Sequence, residues 1–185
     1  MGLFYTGKGD GGQSSVGKIK IDKTCIEIEA LGDLDELNSL IGVVKSQSPE
    51  YLMGIFNAVQ ENLFIVQANV ANFMFQDDNG KPKYKPKEFK REKITEIEKL
   101  IDDMEKIIEP EKGFIIPGTN VISAWVDLLR AVSRRAERSV LRHNKDHELP
   151  ADVLAYMNRL SSLFFAIARM ESKSGGQKEK HPTYK

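Results

Sequence analysis

The sequence predicts an all-α protein, an antiparallel helical bundle of four to five long helices preceded by an irregular Gly-rich N-terminal loop. Three observations carry this reading. Apolar residues recur in steps of three and four through most of the chain from Leu34 to Ile167, the period of helices that bury one face. Pro49, Pro110 and Pro150 stand at the edges of these stretches, where proline opens or stops a helix. The connections are mostly short, which makes consecutive helices antiparallel neighbours in an up-and-down, ferritin-like arrangement.

Each element has its own signal. In "GDLDELNSLIGVVKSQ", Asp33 stands three residues before Glu36 as in a capping box, and Leu34, Leu37, Ile41 and Val44 keep helical spacing, so a first helix is expected from Asp33. Leu52, Phe56, Val59, Leu63, Val66, Val70 and Phe73 form the seam of a second. Residues 77–90 carry two prolines, a glycine and mostly charge, and read as a mobile connecting loop. Ile94, Ile97, Leu100, Ile101, Met104 and Ile107 mark a third helix, stopped by Pro110. A fourth is expected from Val121 to His143, and a fifth from about Pro150 to Ser172, with Val153, Met157, Leu160, Phe164 and Ile167 as its core face. The expected divisions are a segment 1–32, a bundle 33–172 and a flexible tail 173–185, all in a single domain.

Composition narrows the function. Lys plus Arg and Asp plus Glu are both 27, so no global field draws the chain to nucleic acid or an anionic membrane. No apolar run reaches the length of a membrane span. The single Cys25 forms no internal disulfide, and no signal-peptide-like run precedes the bundle; a cytoplasmic location is the expectation. Di-iron chemistry, common in such bundles, needs Glu-x-x-His, whereas Val140, Asn144 and Lys178 stand three before the histidines. His143 and His147 have i, i+4 spacing, but "HNKDHELP" reads as a fraying helix end, so no metal site is expected of the protein. Cys25 beside Lys23 suits either a lowered thiol pKa or a small residue in an extended segment.

Two stretches invite a ligand. Gly12 to Lys18 reads G-x-x-x-x-G-K, yet Ile19 stands where a P-loop needs Ser or Thr, and "KIKIDKTCIEIE" alternates like an extended segment. A phosphate loop of that design is excluded. In "LLRAVSRRAERSVLRH", Trp125, Leu129, Val132, Ala136 and Val140 share an apolar face, and Arg130, Arg134 and Arg138 line the other side with Asp127 and Glu137 among them. Guanidiniums at successive i, i+4 steps, roughly 6 Å apart, match the reach of an oligophosphate. A solvated face laced with Asp127–Arg130 and Arg134–Glu137 pairs is the alternative. On the fifth helix, Asn158 with Ser161 and Ser162 makes a polar stripe, which specifies the bundle or touches a ligand.

The motifs "YTGKGDGGQSS", "GDLDELNSLIG", "FIIPGT", "RAVSRRAER" and "MNRLSSLFFAIAR", in this order and with Lys23 between the first two, resemble the PduO-type ATP:cob(I)alamin adenosyltransferases over nearly the whole chain. The resemblance implies a homotrimer with active sites between subunits, ATP and cobalamin as substrates, and Mg²⁺ accompanying the nucleotide. It makes 1–32 an ATP-binding loop segment. ATP contacts carry over to Thr6, Gly7, Lys8, Gly9, Ser14, Ser15, Lys23, Arg134, Arg135, Ala136, Glu137, Arg138 and Asn158. Arg134 and Phe114 are the implied catalytic residues, with Phe114 against the lower corrin face. Asp35 and Arg130 are implied to pair across the subunit interface. The reaction moves the 5′-deoxyadenosyl group from ATP to Co(I), giving adenosylcobalamin and tripolyphosphate, and implies a reductase or a cobalamin-dependent enzyme as a partner. An ATP-dependent carrier or sensor of adenosylcobalamin with little turnover is the alternative. The chain departs from the family's habit at Gly11 (often Lys), after Lys23 ("TCIE" for "DDPR"), at Thr119 (often Gly) and at Ser162 (often Asp).

Overall fold

Why the first helix begins where it does is explained by its first turn. In the computed structural model α1 spans Ile26–Gln47, seven residues earlier than the Asp33 start expected from the capping pattern. Cys25 is the N-cap in an extended conformation, and Glu27 and Glu29 place negative charge in the first turn, favourable to the helix dipole. The Ile-Glu-Ile-Glu run at 26–29 alternates over too few residues to separate a strand from a helix. Asp33 therefore lies inside the helix, where its carboxylate accepts from Ser139 Oγ.

The structure describes residues 4–16, 19–75, 83–108, 113–174, 176 and 178–184, without the side chains of Ser15 and Val16. Part of the expected loop at 77–90, the stop at Pro110, and Gly17 and Lys18 of the rejected P-loop lie outside them. The N-terminal loop is not wholly irregular: β1 (Gln13–Val16) and β2 (Ile19–Asp22) pair as an antiparallel hairpin, Gln13 opposite Asp22 and Ser15 opposite Lys20. Then follow α2 (Glu50–Val70), a 3₁₀ turn (Ala71–Met74), α3 (Glu92–Ile108), α4 (Val121–His143) and α5 (Ala151–Ser174). Asn120 caps α4 with a full capping box, its side chain accepting from Ser123 N–H at 2.8 Å while Ser123 Oγ accepts from the Asn120 N–H.

Side-chain links fix the directions. Arg142 meets Glu29 and Arg135 meets Glu36, so α4 runs antiparallel to α1. Asp127 meets Arg169 and Glu137 meets Asn158, which makes α5 antiparallel to α4. Glu98 meets Arg159, and the Ile108 carbonyl accepts from Lys173, so α3 and α5 are parallel neighbours. An odd number of helices in strict up-and-down order cannot close a bundle with every neighbour antiparallel. The seam expected on α2 is buried from Leu52 to Val70. Phe73 is an exception: it lies in the 3₁₀ turn, half-buried, with its ring stacked on His147 at 4.4 Å. Ile107 is a second, exposed while Ile108 fills the core.

Two further expectations change. Asp127 is not on the solvated face with Arg130; it is buried and bonded to Arg169 at 2.6 Å. In the segment 173–185, expected as a flexible tail, α5 continues to Ser174, and the described residues beyond it include Glu179 bonded to Arg169 and Lys180 bridged to Ile116.

Candidate functional site

The Gly-rich loop folds around Lys23. Gly7 and Gly12 adopt left-handed φ of +69° and +80°, which glycine reaches without the Cβ clash. These allow two tight turns, Asp10 N–H to Gly7 O and Gly12 N–H to Gly9 O. Lys23 closes the loop, its backbone N–H on Gly12 O at 2.9 Å and its ammonium on Gly9 O at 2.8 Å. A Cβ at Gly9 would come within 2.9 Å of that ammonium, so a side chain there would push the flexible end of Lys23 aside. Thr6 accepts from Lys8 N–H at 3.4 Å. Thr6 and Lys8 are exposed and Ser14 is half-buried. Asp22 stops the turn that follows, accepting from Thr24 N–H and Oγ1, bonds that hold its pKa below the ordinary value.

Cys25 does not have a lowered pKa. Burial raises it first, and Glu27 alongside adds to that. Glu27 is itself lowered, by its bond with Cys25 and then by His147. His143 is buried with both ring nitrogens lacking a protein partner, and burial followed by His147 lowers its pKa. Among the described residues no cluster of three His, Cys, Asp or Glu is placed to hold a metal ion.

The arginine helix sorts its own residues. Among the described residues Arg134 and Arg138, both exposed, have no hydrogen-bond or ion-pair partner. Arg135 is engaged with Glu36 and, at 3.6 Å, Asp33. Glu137 is turned toward α5, accepting from Asn158 Nδ2 at 2.8 Å, while Asn158 Oδ1 accepts from Arg159 at 2.9 Å. Arg159 in turn bonds Glu98. Asn158 is thereby held at both ends of its amide by a chain of groups across α3, α5 and α4. Ala136 is fully buried and offers a ligand only its place in the helix.

A second concavity lies one to two turns away on the same helices. A pocket of about 290 Å³ is lined by Ile101, Arg130, Ser161, Ser162, Phe165 and Arg169 among others. Arg130 Nε is buried there without a partner, an unusual state for a guanidinium nitrogen. Phe114, on the loop before α4, is 77% exposed and plugs nothing. Among the described residues no hydrogen bond or ion pair joins Asp35 to Arg130; Asp35 lies on the α1–α2 face beside Asn38 and Phe64. Nor does any described hydrogen bond or ion pair join 6–23 to Arg134, Arg138 or Asn158. The hairpin feeds the start of α1, and Phe114 precedes the start of α4, the opposite end of an antiparallel pair.

Asp127, Phe165 and Arg169 were not legible as site residues. Phe165 and Arg169 fall off the apolar face of α5, and Asp127 reads as one more charge on a charged helix. Only complementary charge at buried positions would have joined Asp127 to Arg169, and burial is not written in the period of either helix.

Fold and site together define a helical-bundle protein with a ridge of exposed arginines and a separate, partly apolar cavity. Residues 4–171 match the family described as Cobalamin adenosyltransferase, and the chain belongs to that family. It is 35% identical to a corrinoid adenosyltransferase of Citrobacter freundii, over 92% of this chain and 96% of that protein. A corrinoid adenosyltransferase of Bacillus subtilis is 33% identical, over 94% and 88%. Among solved structures, a point variant of a PduO-type ATP:corrinoid adenosyltransferase from Lactobacillus reuteri, complexed with cobalamin and ATP, superposes with a TM-score of 0.88 at 28% identity, covering 97% of this chain and 99% of that one. No helix of the described residues is long and apolar enough to cross a membrane.

Proposed function

We propose that this protein is an ATP:corrinoid adenosyltransferase. The observation that carries the reading, beside family membership, is the pair of guanidiniums of Arg134 and Arg138, without partners among the described residues, next to an Asn158 whose amide is fixed in place. In the reaction, Co(I) of the corrinoid attacks the 5′ carbon of ATP, a Co–C bond forms, the C5′–O bond breaks, and tripolyphosphate leaves with the bonding electrons. The cobalt is the nucleophile, so the chain supplies no Ser, Cys or His for that role. Its residues align the two substrates and stabilise the charge that builds on the departing phosphates.

Thr6, Gly7, Lys8, Gly9, Ser14, Ser15 and Lys23 form the proposed phosphate loop of one subunit. Turn N–H groups and ammoniums suit a flexible polyanion. Arg134, Glu137, Arg138 and Asn158 receive the nucleotide on the bundle. Arg135 and Ala136 support this ridge from within the helix, since the one is paired with α1 and the other is buried. Mg²⁺ enters with the triphosphate; the loop's Gly, Thr and Lys groups suit phosphate oxygens, leaving the metal to phosphates and water. Phe114, exposed beside the start of α4, is assigned to the lower corrin face, where an apolar ring excludes an axial base and makes Co(II) easier to reduce. The pocket at Arg130, Ser162 and Phe165 belongs to the same side.

The separation of these parts supports the homotrimer that the family resemblance implies. The loop leads into the start of α1 and Phe114 into the start of α4, at opposite ends of an antiparallel pair, and among the described residues Asp35 and Arg130 have no ion-pair partner, as expected if a second subunit completes the site. Light scattering of the active protein tests this, and a fully active monomer would refute it. A cytoplasmic location and an electron-supplying reductase fit the need for Co(I). The decisive assay is formation of adenosylcobalamin from ATP and chemically reduced cobalamin. An enzyme makes many products per subunit, whereas the carrier or sensor makes about one.

A further inference from the structure

The segment that carries Phe114 is held by the end of the chain. Among the described residues, both hydrogen bonds of 113–118 go to the tail: Ile116 N–H donates to Lys180 O at 2.8 Å, and Phe114 O lies 2.9 Å from His181 Nδ1. The segment's two glycines, Gly113 at φ +114° and Gly118 at +96°, adopt the left-handed region, and Phe114 itself is 77% exposed. The tail is fixed in turn by Glu179, whose carboxylate bonds Arg169 at 2.6 Å. Arg169 is 3% exposed and bonds Asp127 of α4 at 2.6 Å on its other side. Its guanidinium also lies over the Phe165 ring at 5.2 Å, and both line the pocket at Arg130. One buried cation thus joins the start of α4, a wall of the cavity and the tail.

We propose that 178–181 is a clasp that sets the position of Phe114, with Glu179, acting through Arg169, as a positioning residue for the corrinoid side of the reaction. The functional half of this rests on the assignment of Phe114 to the corrin face; the structural half does not. Arg169 balances two carboxylates. Removing it strands a buried Asp127, and that variant is prone to misfold. Removing Glu179 leaves the Arg169–Asp127 pair intact and neutral while the clasp opens.

The test uses Glu179→Gln and Glu179→Ala in the full chain, with Glu179→Asp as the conservative variant and Phe114→Ala in parallel. Amides of 113–118 are expected to exchange roughly tenfold faster or more in Glu179→Gln, the loss of one charge-assisted hydrogen bond. Turnover from Co(II)alamin and a reductant is expected to fall by about tenfold to 100-fold through misplacement of the ring, with the Kd for ATP unchanged. The four-coordinate Co(II) signal should weaken, and Glu179→Asp should recover part of it. Wild-type exchange at 113–118 in both Gln and Ala variants overturns the clasp. Faster exchange with wild-type turnover and an unchanged cobalt signal overturns the positioning role. If Phe114→Ala also keeps the wild-type signal, the corrin assignment of Phe114 itself fails, and exchange alone then judges the clasp.

Discussion

Two sides of one helix use the same residue for opposite purposes. On the side of α4 that faces α1, Arg135 and Arg142 are paired with Glu36, Asp33 and Glu29, and Ser139 bonds Asp33. About 100° and about 60° around the helix from Arg135, Arg134 and Arg138 have no partner among the described residues. All four are arginines within the nine residues 134–142, and composition does not separate them. What separates them is a neighbouring helix that offers carboxylates to one side and nothing to the other. A guanidinium already neutralised contributes to packing; an exposed one without a partner is ready for an anion.

The largest way to break this comparison is Arg134→Ala or Arg138→Ala. Loss of a charge-assisted phosphate contact should cost about 1.5–3 kcal/mol, or roughly 10- to 150-fold in kcat/KM for ATP. Because neither side chain has a partner to lose, melting should move within about 0.5 kcal/mol of wild type. Wild-type kinetics in either variant would remove the ridge from the site.

Phe114→Ala carries the same logic to the other substrate. A core Phe→Ala costs roughly 3–5 kcal/mol, but this ring is 77% exposed and its loss should leave the melting temperature nearly unchanged. Turnover should fall, most when Co(II) is reduced on the protein and less when preformed Co(I) is supplied. A large drop in melting temperature with unchanged turnover would show a packing residue instead.

Arg135→Ala and Arg142→Ala sharpen the comparison from the structural side. Both pairs are about half-exposed, so each variant should cost about 0.2–1 kcal/mol in urea unfolding, with a smaller effect on ATP use than Arg134→Ala. An Arg135 variant as impaired in ATP use as Arg134→Ala would mean that its ion pair opens to receive the nucleotide.

The smallest effect concerns the far end of α4. His143 has a folded pKa below its ordinary value of 6.5, so the folded state favours the neutral ring. Its contribution is fully present above that ordinary value and is lost as pH falls through the depressed one. Unfolding free energies at pH 7.5 and 5.5 should therefore differ more in wild type than in His143→Gln. Equal pH dependence in the two would place the titration elsewhere.

Much of the bundle was legible because burial repeats with the helical period. Leu52 to Val70 on α2, Val153 to Ile167 on α5, and the bounds of α4 at Val121 and His143 all follow from apolar spacing and from breakers at the ends. The start of α1 was not, since Ile-Glu-Ile-Glu satisfies two periods and the choice depended on the hairpin and cap before it. In the site, the Gly-rich loop and the arginine run were visible as chemistry looking for an anion, and ordered motifs tied them to a family.

The sequence by itself determined a bundle of four to five long helices, their apolar faces and the residue types able to meet a phosphate chain, because these depend on local period and local chemistry. Only the tertiary structure decided which arginines are neutralised, that Asp127 and Arg169 form a buried pair, that Phe114 is exposed and that the tail is docked against its segment. Those outcomes depend on which side chains the packing of α1, α4 and α5 brings within hydrogen-bond distance across separations of 42 to 113 residues, and no local pattern encodes that distance.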